Sequence, residues 1–308
     1  ESSYRLEWMD EPWDDVALAG GWLLDLERQI APDLVHLNGY VHAALPWHAP
    51  TLVVGHSCVL SWWEAVHGEP APAWWKRYRD AVTQGLQQAD MVLAPTAAML
   101  TDLERLYGPF ARTAVVPNGR AASAFPPHAK EPFVLAAGRL WDEAKNVAAL
   151  DAVAERLPWP VFVAGANQHP DGGTATAANV RMLGSLAPDA LAQWMGRAAM
   201  YALPARYEPF GLSVLEAALA RCALVLGDIA SLRELWHDAA LFVPPNDHAA
   251  LHAALTRLMH DEQQRTTLAA HARARAVQFT PERMAAEYLA AYKSLVKPVR
   301  SRAHDVWD

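Results

Sequence analysis

The stretch YEPFGLSVLEAALARCALVLGD (207–228) carries two carboxylates, Glu208 and Glu216, with seven residues between them. A carboxylate in a loop accepts hydrogen bonds from hydroxyl groups. If a helix opens near Ser213, the amides of Gly211 and Leu212 fall at its N-terminus, where they can face an anion. Ser213-Val214-Leu215-Glu216 is also an S-x-x-E capping box, which accounts for Glu216 as a helix cap but leaves Glu208 and the FGL run unexplained.

A second cluster lies upstream in GRLWDEAKN (138–146). Gly138 follows an apolar run and lets the backbone approach a ligand, while Arg139 and Lys145 flank a helix that opens at Asn146. Two cations beside a helix N-terminus suit a phosphate or diphosphate; the competing reading is a pair of solvated loop charges. Neither a Walker sequence nor G-x-G-x-x-G is present, so no phosphate-loop or dinucleotide fingerprint supports the site.

The elements that must position these residues alternate between short apolar runs and helical patterns. Strands are expected at 34–37, 51–54, 91–94, 113–116, 133–137, 161–165, 200–204, 223–227 and 240–244. Near-continuous apolar runs of this kind read as parallel strands buried on both faces, hence an α/β fold. Thr96 opens one helical pattern that ends at Gly108, and three helices, at 247–259, 261–277 and 281–296, follow the last strand. The Pro- and Ala-rich stretch at 119–132 divides the chain into domains 1–127 and 128–280, with the segment 281–308 expected to pack back on the first. His36, Asn38, His56, Asn118, Gly138, Gly165, Arg206 and Glu208 all fall at or just beyond the carboxyl ends of strands, where open α/β sheets bind ligands. Two such edges facing each other make a cleft lined by this set.

Composition excludes several classes. The 308 residues carry a net charge of -8 with 52% hydrophobic and 19% charged residues, a globular balance with no basic stripe for nucleic acid. No apolar run reaches the roughly 18 residues of a transmembrane helix, and the acidic, polar start does not read as a signal peptide. The two cysteines, Cys58 and Cys222, lack metal-ligand spacing and fit a reducing cytoplasm. No D-x-D pair is placed at a strand end. Of the 13 tryptophans, Trp62-Trp63 and Trp74-Trp75 follow His56 closely and could stack on a bound ligand, although packing is the commoner use. His36 reads as a hydrogen-bonded core residue, His42, His48 and His67 as surface residues, and the run Arg265 to Arg275 as one solvated helix face.

Glu208-Pro209-Phe210-Gly211-Leu212 with Glu216 resembles the E-x7-E motif of retaining GT-B glycosyltransferases of family 4. VVPNGR, FVLAAGRLWDEAKN, the ELW segment with Glu234 and VPPNDHAALHAAL follow that family in order and spacing, and DLVHLNG and the His56 strand resemble its N-terminal domain. The resemblance implies two Rossmann-like domains across a cleft and a nucleotide-diphosphate sugar donor held mainly by the second. Arg139 and Lys145 would grip the diphosphate, with Gly138 beneath it. Glu208 would bind the donor sugar hydroxyls, Glu216 the ribose, and the amides of Phe210, Gly211 and Leu212 would lie along sugar and phosphate. His56 would touch the sugar near its anomeric centre, Asn118 would lie near the hinge, and the base would rest on backbone at 183–186.

The implied activity is hexosyl transfer to an acceptor hydroxyl with retention, independent of metal and without a cofactor, in the cytoplasm. A sugar-nucleotide epimerase of the same architecture and a nucleotide-sugar-binding subunit are the alternatives. In the family the first strand follows a Gly-rich loop and further α/β units of about 30 residues each. Roughly 60 residues are therefore expected to be absent, leaving the first sheet incomplete unless a separate N-terminal segment pairs with it.

Overall fold

The computed structural model describes residues 4–168 and 176–296, which form two parallel sheets flanked by helices. Helix α1 (Trp13–Ile30) precedes the first sheet, whose strands β1 (Val35–Leu37), β2 (Thr51–Val54), β3 (Met91–Ala94) and β4 (Thr113–Val115) lie in sequence order. Helices α2 (Val59–His67) and α3 (Lys76–Gln88) join β2 to β3, and α4 (Ala97–Tyr107) joins β3 to β4. The second sheet holds β5 (Glu131–Ala137), β6 (Val161–Ala164), β7 (Arg181–Gly184), β8 (Ala198–Leu203), β9 (Ala223–Gly227) and β10 (Ala240–Val243). Its connecting helices are α5 (Val147–Ala154), α6 (Pro188–Arg197), α7 (Leu212–Leu219) and α8 (Ala230–Trp236), and α9 (His248–His260), α10 (Glu262–Ala276) and α11 (Pro281–Leu295) follow.

The order of the second sheet, β10-β9-β8-β5-β6-β7, is doubly wound: the chain runs outward from β5 in one direction, then returns to start again at β8. Neighbouring loops after β5 and β8 therefore splay to opposite faces and leave a crevice at the carboxyl edge. The alternation of β5 supplies both sides of the layer. Phe133, Leu135 and Ala137 enter one core and Val134 and Ala136 the other, as a period of two requires. The chain passes from the first domain's core at Val116 to the second's at Phe125.

Helix α11 returns to the first domain. Thr280 caps it by accepting from the Arg283 amide at 3.1 Å, and Met284, Tyr288, Tyr292 and Leu295, spaced along one helical face, pack against Leu52, Val54, Met91 and Leu93. His36 is part of that seam, with Nδ1 2.7 Å from the Tyr292 hydroxyl and its ring stacked on Tyr288. The portion of the expected terminal segment from residue 297 onward lies outside the described residues.

Several sequence expectations change. Residues 13–30, to which the sequence reading assigned no element, form α1: Asp14 and Asp15 favour its first turn, and Val16, Ala19 and Gly20 bury a face at helical spacing. Strand β7 was missed because its half-exposed residues, beginning with Arg181, lack an apolar run. At the open edge of the first sheet, β1 has three half-buried residues, while Leu18, Trp22 and Ile30 of α1 are exposed. His42 is half-buried rather than on the surface, its Nε2 3.0 Å from the Val16 carbonyl. The Arg265–Arg275 run is not merely a solvated face. Arg265 donates to the Leu258 carbonyl, Arg273 to Leu219 and Arg275 to Leu235, so each satisfies carbonyls at the C-terminal end of another helix.

The two domains meet through specific polar contacts. The buried Tyr207 hydroxyl, from the loop after β8, accepts hydrogen bonds from the Cys58 amide (3.1 Å) and Ser61 Oγ (2.9 Å) in the first domain. Thr96 Oγ1 donates to the Pro209 carbonyl at 2.9 Å, and the Trp62 indole donates to Asp142 at 3.0 Å. Glu234 of α8 accepts from the amides of Ala97 and Ala98, both at 2.9 Å, and so caps α4 across the boundary. Tyr207→Phe removes the acceptor and strands the Cys58 amide. It should lower the unfolding free energy by about 1–3 kcal/mol in urea titrations; an unchanged midpoint would mean that this contact contributes nothing to stability.

Candidate functional site

A cavity of about 660 Å³ opens at the carboxyl ends of β5, β6 and β8, facing the first domain. His56, Asn118, Gly138, Lys145, Glu208, Phe210, Gly211, Leu212 and Glu216 all line it. Residues far apart in sequence thus share one wall set: the crossover between β5 and β8 gathers those of the second sheet, and the facing first domain adds His56 and Asn118.

The loop after β5 is built to deliver Lys145. A 3-10 turn spans Glu143–Lys145, and Asn146 takes a left-handed conformation (φ 56°) that ends it. The buried Asn146 side chain does not cap α5. Its Nδ2 donates instead to the carbonyls of Pro204 and Pro245, both at 2.8 Å, tying the turn to the ends of β8 and β10. The Arg206 amide donates to the Ala144 carbonyl at 2.8 Å and zips this turn to the loop after β8. Gly165 then closes the floor: at φ +144° its Cα approaches Gly138 so closely that a Cβ would lie 1.8 Å from the Gly138 carbonyl oxygen.

Glu208 sits across from that turn. Its Oε2 accepts from Lys145 Nζ at 2.7 Å, and its Oε1 accepts from the Gly211 amide at 2.9 Å and more weakly from Phe210 at 3.4 Å. The pair is mostly withdrawn from solvent, with side-chain exposures of 16% for Lys145 and 13% for Glu208. Gly211, at φ +84°, is the N-cap of α7, so the turn that orients Glu208 also aims the helix N-terminus into the cavity. The Phe210 ring is buried edge-on to Phe279, whereas Leu212 is exposed.

Glu216 is not a helix cap. Because α7 starts at Leu212, Glu216 is its fifth residue, out of reach of the N-cap, and Ser213 Oγ instead accepts from the Tyr201 hydroxyl at 2.7 Å. The Glu216 carboxylate accepts from Arg120 Nε at 2.8 Å. Burial raises its pKa and the Arg120 charge opposes that shift. Sequence reasoning did not single out Arg120, although it ends the VVPNGR segment; Ser185 and Leu186, just past β7, also join the lining.

The first domain contributes His56, whose Nε2 lies 3.0 Å from Asn38 Oδ1; desolvation lowers its pKa, which favours the neutral imidazole at neutral pH. Arg139 is placed differently from the other expected residues. Its guanidinium bonds Asp142 at 2.8 Å and lies over the Trp141 ring, outside the cavity lining and half-exposed at the rim. His36 is committed to Tyr292 and does not line the cavity. Among the described residues no three His, Cys, Asp or Glu side chains gather as a metal ion would require.

Two Rossmann-like domains with a cavity between their strand ends define a GT-B fold. Sucrose-phosphate synthase from Thermosynechococcus elongatus shares it, with a TM-score of 0.80 at 21% identity over 92% of this chain and 79% of that one. So does Anabaena Alr3699/HepE in complex with UDP-glucose, with a TM-score of 0.76 at 18% identity over 92% and 84% of the two chains. The family model for Glycosyl transferases group 1 matches residues 121–275, and that for Glycosyltransferase Family 4 matches residues 4–122. The chain belongs to the glycosyl transferases group 1 family. It is 33% identical to O-antigen chain mannosyltransferase B of Escherichia coli over 116 residues, 38% of this chain and 30% of that protein. It is 28% identical to glycogen synthase of Mycobacterium tuberculosis over 264 residues, 77% of this chain. The matched region spans 63% of the length of that synthase.

Gly165→Ala tests the floor of the cavity. The new Cβ must displace Gly138 backbone and occupy a φ that side chains avoid, an overpacking penalty of about 1–3 kcal/mol before strain is added. The melting temperature should fall by on the order of 5 °C or more. A variant as stable as the parent would show that the two loops separate easily.

Proposed function

We propose that this chain binds a nucleotide-diphosphate sugar in the cavity and transfers the sugar to an acceptor hydroxyl with retention of anomeric configuration. The observation that carries the reading is the Lys145–Glu208 pair set beside the N-terminus of α7 at the sheet's crossover. Family membership and the UDP-glucose complex of a protein with the same fold support it.

Each residue then has a physical role. Lys145 and the α7 N-terminus attract the diphosphate, and Arg139 joins them by swinging in from Asp142. Gly138 allows the phosphates close to the backbone. Glu208 accepts hydrogen bonds from the donor sugar hydroxyls with the lone pairs left free by Lys145 and Gly211, and the amides of Phe210, Gly211 and Leu212 run along sugar and phosphate. Glu216 takes the ribose hydroxyls, and the base rests beyond β7 near Ser185 and Leu186. His56 meets the donor sugar near its anomeric centre from the first domain, and Asn118 lies near the hinge.

In the transfer the bond from the anomeric carbon to the diphosphate oxygen breaks and a bond to the acceptor oxygen forms. The departing diphosphate takes the acceptor proton, so no dedicated base is assigned. Rate enhancement is electrostatic: fixed cations and amide dipoles stabilise charge that grows on the leaving group. These groups supply the stabilisation without a metal ion. Free, buried Cys58 and Cys222 suit a cytoplasmic setting, and among the described residues no helix is long and apolar enough to cross a membrane.

Incubating the chain in EDTA with a panel of nucleotide sugars and hydroxyl acceptors should give acceptor-dependent release of nucleoside diphosphate. Release of free sugar or an altered nucleotide sugar, or dependence on added metal, would contradict the proposal. Glu208→Gln should slow transfer roughly ten- to hundredfold, the worth of a charged hydrogen bond of about 1.5–3 kcal/mol. Near-parental turnover would remove Glu208 from the site. Lys145→Ala should weaken nucleoside diphosphate binding in calorimetric titrations roughly ten- to hundredfold while leaving nucleoside binding unchanged. Equal losses for both ligands would assign Lys145 a structural role instead.

A further inference from the structure

Among the described residues, Arg120 is the one cavity-lining arginine or lysine to which the nucleotide reading assigns no task. It follows Asn118 and Gly119, its backbone amide donates to the Phe279 carbonyl at 3.0 Å, and its Nε donates to Glu216 Oε1 at 2.8 Å. Among the described residues the guanidinium has no other hydrogen-bond partner, so the two Nη groups remain available on a side chain 45% exposed at the cavity wall. Glu216 is held the opposite way, with a side chain only 11% exposed. A donor with unused N–H groups and an acceptor with unused lone pairs therefore stand side by side on one wall, locked in register by their mutual bond.

That arrangement has a chemical counterpart. Each hydroxyl of a ribose donates one hydrogen bond and can accept up to two, so a carboxylate alone serves only its donor side and a guanidinium alone only its acceptor side. Together they serve both the donor and the acceptor side of a hydroxyl, and the mostly buried Glu216 left facing a missing hydroxyl loses more than a solvated carboxylate would. We propose that Arg120 and Glu216 act as a joint reader of the ribose diol, with Arg120 donating through Nη to a hydroxyl oxygen whose proton Glu216 accepts. Arg120 thereby makes the site selective for ribonucleoside over 2′-deoxyribonucleoside diphosphates. The inference rests on the nucleotide reading of the cavity and adds a specificity residue to it.

The placement favours this assignment over a phosphate role. The phosphate-facing groups, Lys145 and the α7 N-terminus, are joined to Glu208, on the side of the wall toward the end of β5. Arg120 is instead bonded to Glu216, a full helical turn further along α7. The fork of the guanidinium matters as well as its charge, because one N–H must stay on Glu216 while another reaches the ligand.

The test is calorimetric titration with UDP, GDP and ADP, each compared with its 2′-deoxy and monophosphate counterparts. The parent chain should prefer the ribose form, and Arg120→Ala should shrink that preference roughly tenfold while leaving the diphosphate-to-monophosphate ratio unchanged. Arg120→Lys should restore affinity common to both sugars by re-forming the ion pair yet leave the preference low, since an ammonium lacks the fork. Circular dichroism melts should place Arg120→Lys close to the parent and Arg120→Ala somewhat lower, because the latter leaves the mostly buried Glu216 without its cation; that loss is common to ribose and deoxyribose ligands and does not alter their ratio. An Arg120→Ala variant with an unchanged ribose preference would overturn the inference. So would a loss that scales with the number of phosphates, which would make Arg120 a phosphate ligand. If the parent chain bound none of the three diphosphates, the nucleotide reading itself would fall, a result distinct from either of these.

Discussion

The ion pair between Lys145 and Glu208 is the contact on which the site depends. It joins the loop after β5 to the loop after β8, the two that diverge at the crossover of the second sheet. Both groups are mostly removed from water, so each requires the other: a carboxylate or ammonium left alone in such a place is strongly destabilised. The surrounding backbone is arranged to hold the pair. Asn146 pins the lysine turn to Pro204 and Pro245, and the Gly211 amide fixes the glutamate from the other side. Charge, helix terminus and loop geometry are therefore one unit.

The same pairing recurs around the cavity. Arg120 is matched with Glu216 at the wall and Arg139 with Asp142 at the rim. Every one of these cations has a carboxylate partner, and for Lys145 both members are withdrawn from solvent, whereas Arg120 and Arg139 are about half-exposed. A cation held by a carboxylate has a defined position, so these side chains are fixed groups rather than loose surface charges.

The seam between the domains carries this geometry to the opposite wall. Tyr207, adjacent to Glu208, is bonded to the amide of Cys58, two residues beyond His56. Thr96 and Glu234 reinforce the link by tying α4 to the loop before α7 and to α8. The histidine and the glutamate belong to different domains, yet a short covalent path and one buried hydroxyl separate them. Helix α11 secures the same association from behind by packing on the first sheet.

Much of this was legible in the chain itself. Apolar runs such as Met91–Ala94 and Ala223–Gly227 announce buried parallel strands because each face must be covered, and polar residues at their carboxyl ends mark the cavity edge. Glu208, Lys145, Gly138 and Gly211 were recognisable from residue type and order. What the sequence could not state was partnership. Whether Glu216 caps a helix or faces a ligand turns on where α7 begins, and that start is set by the left-handed Gly211 and the packing around it. Arg120 looked like any loop arginine, and Arg139 like a cavity cation, until the fold put one beside Glu216 and the other on Asp142. Local pattern determines elements because periodicity and burial act over a few residues; ion pairs between distant loops are decided only when the sheets fix the distances between them.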